Sequence, residues 1–295
     1  MAVAEAWVPD PERLARYVRP DEFHLAFNFG LLETKWGAPA FHQSIQDAMS
    51  AMAAHEAPCT WVLSNHDVVR HATRYGGGAI GQARARAAAM LILALPGAVY
   101  LYNGEELGLE NVDLPDWALQ DPTWERSGHT ERGRDGERVP MPWSTEADSL
   151  GFSVTGASWL PMPKSWGEKS VQSQSSDPAS MLWLYRDALR IRSTSPDMRA
   201  GSFTWLEAPS GCLMFRRGAQ FVCLVNFSDH DVALPSQAQG QTLLSSTAGV
   251  SSAMTAAHAA DSDSPADDPH LRIRMHSSHS IAPNSALWIF EQELV

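Results

Sequence analysis

Cysteine is scarce: Cys59, Cys212 and Cys223 form no C-x-x-C pair and no Cys/His cluster at zinc-ligand spacing, which argues against a disulfide framework or a structural metal. Three isolated thiols imply a reducing compartment. No apolar run approaches the roughly 20 residues of a membrane span, and the first residues carry no basic stretch leading into a long apolar one. The expectation is a cytoplasmic protein with no membrane partner. Positive charge is also short, 22 Lys and Arg against 34 Asp and Glu, and the net charge of −12 disfavours nucleic acid. No strand-like segment is followed by a Gly-rich phosphate loop, since Gly76-Gly77-Gly78 succeeds a charged turn and reads as a flexible loop.

Hydrophobic residues make up 44% of the 295, ample for one large domain or a domain and a half. Through the first two thirds, strand-like and helix-like segments alternate. Residues 2–7, 22–31, 60–63 and 98–102 read as strands, and residues 39–55, 82–95 and 180–192 as helices with apolar stripes. The segment 108–177 is irregular and rich in Pro, Gly, Trp and charge. Strand, helix and parallel strand imply a βα architecture. From about residue 201 strands follow one another without helices, so the chain divides into residues 1–200 and a small antiparallel β-domain at 201–295. A two-residue Arg217-Gly218 turn would set Cys212 opposite Cys223. Residues 245–280, rich in Ser, Ala, Asp and His, read as a flexible surface excursion in which His258, His270, His276 and His279 lack metal-ligand spacing.

Each strand-like segment carries polar residues at its C-terminal end: Glu5, then Asn28, then Asn65-His66-Asp67, then Asn103 with Glu105 and Glu106. A strand of Thr60, Trp61, Val62 and Leu63 satisfies burial by itself, whereas an amide, an imidazole and a carboxylate at its end desolvate polar groups. Two readings follow: a ligand site, or an Asx-type turn in which Asn65 and Asp67 bond local backbone. Polar groups shared by the C-terminal ends of parallel strands suit a (β/α)₈ barrel, whose active site lies on that face. Two carboxylates there, Glu5 and Asp67, suit glycoside hydrolysis, in which one acts as acid and base and another steadies an oxocarbenium-like centre. Eleven tryptophans, several in polar segments (Trp7, Trp117, Trp124, Trp143, Trp166), are packing anchors or platforms for sugar rings.

In these motifs the chain resembles the α-glucosidase and oligo-α-glucosidase branch of the α-amylase superfamily, glycoside hydrolase family 13. The resemblance rests on Val3-Ala4-Glu5-Ala6-Trp7, Phe27-Asn28-Phe29, Ser64-Asn65-His66-Asp67 with Arg70, and Tyr102-Asn103-Gly104-Glu105-Glu106-Leu107-Gly108. It extends to Gly133-Arg134-Asp135-Gly136-Glu137-Arg138-Val139-Pro140-Met141-Pro142-Trp143, similar to the branch's loop after the eighth strand. It implies an α/β fold: the C-terminal half of a (β/α)₈ TIM barrel, strands five to eight, followed by the antiparallel β-domain. Glu5 is then the general acid/base, although Ala4 replaces the Gly common in that motif. Asp67 resembles the carboxylate that stabilises the transition state, and His66 the imidazole that donates to the same sugar hydroxyls. Asn65, Arg70 and Arg138 join as substrate-binding residues; by spacing alone Arg70 is equally a helix-starting surface residue, and Arg134 and Arg138 equally pair with Asp135 or Glu137.

The resemblance also implies a nucleophilic Asp in a G-x-R-x-D-A segment and an earlier D-x-x-x-N-H segment, and neither occurs in these residues. The expectation is a retaining α-glucosidase-like hydrolase of gluco-oligosaccharides, truncated by gene decay, frameshift or a misplaced start and inactive alone. No cofactor and no metal are implied. Its partners would be an α-linked gluco-oligosaccharide and a complementing N-terminal half, or a second copy joined through the exposed edges of the strands bearing Val3 and Tyr100. Two other readings stand beside it: a non-catalytic carbohydrate-binding or interaction module, and a glucosyl transferase or isomerase of the same superfamily.

Overall fold

The computed structural model of the chain describes residues 1–247 and 279–291. In order along the chain it contains β1 (Val3–Ala4), α1 (Pro11–Ala15), β2 (Leu25–Ala26), α2 (Phe29–Leu32), α3 (Ala38–Ala53), β3 (Thr60–Val62), α4 (His71–Arg74), α5 (Gly78–Ala94) and β4 (Ala98–Tyr100). Then come α6 (Pro122–Arg126), α7 (Val171–Ser175), α8 (Met181–Thr194) and α9 (Pro196–Ala200). The remaining strands are β5 (Phe203–Leu206), β6 (Cys212–Arg217), β7 (Phe221–Asn226), β8 (Val232–Ala233), β9 (Gln241–Ser245), β10 (Ser280–Ile281) and β11 (Ser285–Phe290).

β1 pairs in parallel with β2, Val3 opposite Leu25, and β3 in parallel with β4, Thr60 opposite Ala98. Main-chain pairing stops between the two pairs, and one hydroxyl bridges the gap. Thr60 Oγ1 donates to Ala26 O at 2.5 Å and accepts from Asn28 N at 3.1 Å, so a β-branched residue stitches β2 to β3 while its backbone stays in β3. Among the described residues neither β1 nor β4 has a second strand partner. Residues alternate across these strands as their period of two requires. Ala4, Ala26, Trp61 and Leu63 face α3 and α5 in the main core, while Phe27, Val62 and Tyr100 face the other way with Phe29 and Leu32.

The segment 22–31 departs from the expected single strand. Asn28 turns the chain, its Oδ1 accepting from Leu31 N at 3.4 Å, and Phe29–Leu32 becomes the helical turn α2. The glycine run also reads differently, because Gly77 caps α5 and Gly78 is its first residue. Gly97 connects α5 to β4 at φ 108°, where a Cβ would lie 2.3 Å from Cys59 O, so only glycine fits that close approach. Residues 108–177 are not featureless: short helical turns gather Leu107, Leu109, Leu114, Val139, Leu150, Leu160 and Trp166, with Leu182 of α8, into a core of their own.

Five strands form an antiparallel sheet in the order β5-β6-β7-β11-β9, and β8 pairs with β10 separately. One face, with Phe215, Phe221, Cys223 and Trp288, merges into the core shared with α5; the other carries Cys212, Met214, Leu224 and Ile289. Trp288 Nε1 donates to Met90 O at 3.2 Å and Arg217 Nη1 to Ala94 O at 2.9 Å, fastening sheet to helix. The expected Cys212–Cys223 pairing is wrong. Arg217 pairs with Phe221, three residues lie between them, and the register therefore sets Cys212 opposite Asn226 and Cys223 opposite Phe215. The two thiols occupy opposite faces, each raised by burial, Cys212 to about 11. The excursion expected at 245–280 falls largely outside the described residues. No helix among the described residues is long and apolar enough to cross a membrane.

Candidate active site

The ends of β1 and β3 converge. Glu5 follows Ala4 directly, and beyond β3 the segment after Leu63 delivers His66 and Asp67; ligating atoms of Glu5, His66 and Asp67 lie within 4.8 Å of one another. Glu5 and His66 are exposed and Asp67 is half-buried. The turn that presents them is made by Asn65, whose Oδ1 accepts from Asp67 N at 3.0 Å and Val68 N at 2.9 Å. Thus the Asx turn and the site coexist. The Asn65 oxygen is engaged in shaping the turn that presents His66 and Asp67.

Asp67 is gripped from the loop beyond β4. Arg134 Nη1 lies 2.5 Å and Arg138 Nη2 3.2 Å from Asp67 Oδ1, and Arg138 Nε donates to His66 O at 2.8 Å. The same arginines reach Asp121 Oδ2, Arg134 Nε at 2.8 Å and Arg138 Nη1 at 3.5 Å. Two carboxylates and two guanidiniums therefore alternate around a closed ring. Burial alone would raise the Asp121 carboxyl, but hydrogen bonds from Arg134 and Thr123 hold it well below the usual carboxylate range. The local pairing allowed by spacing is not what forms. Asp135 Oδ2 instead accepts from Gln120 N and Asp121 N, at 2.5 and 2.8 Å, and Glu137 accepts from Asn111 at 2.8 Å.

Arg70 belongs beneath this surface. It is 3% exposed, donates to Asn103 O at 2.8 Å and Glu137 O at 2.9 Å, and lies over the Tyr102 ring. Its backbone N donates to Asn111 Oδ1 at 2.6 Å. The reading of Arg70 as a helix-starting surface residue needs correction: it is a buried strut joining the loops that carry Asn103, Asn111 and Glu137. Asn28, Glu105 and Glu106 also stay out of the cluster. Asn28 caps α2, and Glu106 Oε2 accepts from Gly104 N at 2.8 Å. Glu105 is buried, bonded to Tyr185 Oη at 3.1 Å and pushed by burial to about 8. Asp121 gave no sequence signal of its own, since Asp before Pro122 reads simply as a helix cap, a role it also fills through Thr123 N at 2.9 Å.

Chemically, the cluster offers an exposed carboxyl, an exposed imidazole and a carboxylate whose charge is shared with two guanidiniums. That sharing disfavours a cation at Glu5, His66 and Asp67 and makes Asp67 a poor nucleophile, while leaving it a good acceptor and a fixed negative charge. The arrangement is that of a carboxylate-based site on strand ends. The chain belongs to the α-amylase family: residues 1–201 match "Alpha amylase, catalytic domain", and residues 199–261 match a domain of unknown function, DUF3459.

A probable alpha-glucosidase of Rhizobium meliloti is 35% identical over 215 residues, 71% of this chain and 38% of that protein. Maltase 1 of Drosophila virilis is 35% identical over 196 residues, 61% of this chain and 28% of that protein. The crystal structure of an alpha-glucosyl transfer enzyme, XgtA, superposes with a TM-score of 0.75 at 29% identity, covering 98% of this chain and 50% of its own. This chain therefore spans about two fifths or less of those two curated relatives and half of that solved structure.

Proposed function

We propose that this chain carries the acid/base and sugar-holding part of a retaining centre acting on α-glucosidic bonds of gluco-oligosaccharides. β1 to β4 serve as strands five to eight of the family barrel, with the antiparallel β-domain from about residue 201 behind them. Glu5 protonates the departing oxygen and later deprotonates the incoming hydroxyl. Asp67 accepts from hydroxyls of the sugar undergoing cleavage and its charge opposes the developing positive ring, with His66 donating beside it. Arg138 fixes both, through Asp67 and through His66 O.

The observation that carries this reading is the approach of Glu5, His66 and Asp67 to within 4.8 Å from two different strand ends. A retaining mechanism needs a further carboxylate as nucleophile, and Asp67, tied by two arginines, does not supply it. The nucleophile then comes from residues outside these 295, in the same polypeptide or in a second chain closing the edges of β1 and β4. The reducing cytoplasm suits three buried thiols.

The test is direct. The 295-residue chain should bind glucose, lose that binding on Asp67→Ala, and release no p-nitrophenol from p-nitrophenyl α-glucoside; turnover at the rate of an ordinary α-glucosidase refutes the missing-nucleophile assignment. A second reading, transfer of glucosyl to a sugar acceptor rather than to water, is favoured by the XgtA superposition over nearly the whole chain. It uses the same residues.

A further inference from the structure

Three tryptophans of the loop beyond β4 are well exposed, Trp117, Trp143 and Trp159, and of these Trp159 is bonded through its indole N–H to Arg138. Its neighbours Leu160 and Trp166 are 1% and 6% exposed in the loop's own core, whereas Trp159 is 54% exposed and outside that core. It is nevertheless held firmly. Its Nε1 donates to Arg138 O at 3.1 Å, Phe152 meets it edge to face at 5.0 Å and 90°, and its carbonyl accepts from Gln120 Nε2. Gln120 N in turn donates to Asp135 Oδ2, the carboxylate that also receives Asp121 N.

An indole with its polar edge satisfied inward and much of its surface left to water gains little for folding. What the tether achieves is placement: the indole is bonded to the carbonyl of Arg138, the residue whose guanidinium holds Asp67. A rigid aromatic face beside polar groups buries the C–H surface of a pyranose while leaving its hydroxyls to neighbours.

Resting on the reading given under the proposed function, we infer that Trp159 is the platform for the second sugar ring of an α-linked disaccharide, the ring that leaves in hydrolysis or accepts in transfer. Glu5, His66 and Asp67 hold the first ring, and Trp159 stacks on the next. Specificity for disaccharide over monosaccharide therefore resides in the loop beyond β4.

Titration of the 295-residue chain with glucose and with maltose, followed by ligand-observed NMR, separates the two subsites. Maltose should bind roughly five- to tenfold more tightly than glucose, the range expected for one aromatic stack. Trp159→Ala should abolish that advantage while changing glucose affinity less than twofold, and Trp159→Phe should keep most of it. Asp67→Ala should weaken both sugars. If Trp159→Ala leaves the maltose advantage intact, or weakens both sugars equally, the platform is wrong and the proposed site survives. Binding of neither sugar by the native chain overturns both.

Discussion

Replacing Glu105 by Gln isolates the cost of one buried carboxyl. Glu105 is 1% exposed; Oε1 accepts from Tyr185 Oη at 3.1 Å, and Oε2 has no hydrogen-bond partner. Burial pushes it from 4.5 to about 8, so the folded chain keeps a proton that the unfolded chain releases. Stability then falls as pH rises through that window, by about 1.4 kcal/mol per pH unit, and ionised Glu105 costs on the order of 5 kcal/mol above it. His71 acts in the opposite sense. Buried between Arg70 and Arg74, it is lowered from 6.5 to about 3, chiefly by desolvation, so the unfolded chain takes up a proton that the folded chain refuses and stability falls as pH drops below 6.5. The two slopes cancel between about 4.5 and 6.5, leaving a plateau, and above it Glu105 alone produces a decline of roughly 2 kcal/mol by about pH 8. Glu105→Gln keeps the shape and the acceptor for Tyr185 but cannot ionise. Urea unfolding of both proteins at intervals from pH 5 to 9 should show the variant flat above pH 6.5 and a difference widening with pH. A difference that stays constant, or a native chain that gains stability between pH 6.5 and 8, refutes the reasoning.

Thr60→Val removes the hydroxyl bridging β2 and β3 at nearly constant volume and leaves Asn28 N buried without an acceptor. Urea unfolding should show a loss of about 1–3 kcal/mol, with Thr60→Ser recovering most of it. Asp121→Asn deletes one carboxylate of the charge ring and releases part of the grip on Arg134 and Arg138. Unfolding free energy should fall by about 2 kcal/mol, and the loss should shrink in 1 M salt if charge rather than shape is responsible.

Much of the layout was legible because period-two strands and stripe-bearing helices leave their spacing in the chain. Thr60 to Leu63 and the helix of Ala and Leu before Pro96 are apolar enough for burial alone to dictate them. Glu5, His66 and Asp67, which the structure brings together, stand out in the sequence because polar residues at strand ends have no packing purpose. What escaped was long-range or local in a way composition hides. The register of β6 with β7 depends on a turn that begins one residue later and is one residue longer than the Arg217-Gly218 pair suggests. Arg70 reads as exposed because charge next to a helix start usually is, whereas its guanidinium is buried against the carbonyls of Asn103 and Glu137. The ring joining Asp67 to Asp121 spans loops whose approach no spacing encodes, and Trp159 resembled any other loop tryptophan until its N–H partner was known.

The ring of two aspartates and two arginines sums to no net charge, although the chain as a whole carries −12. A molecule nearing Asp67 therefore meets alternating signs that cancel within a few ångströms, not a field reaching into solvent. The ring itself gives little electrostatic guidance, and what guidance there is beside Asp67 comes from the exposed Glu5 carboxyl. The ring recognises a visitor only at contact, by the directions of its hydrogen-bonding groups.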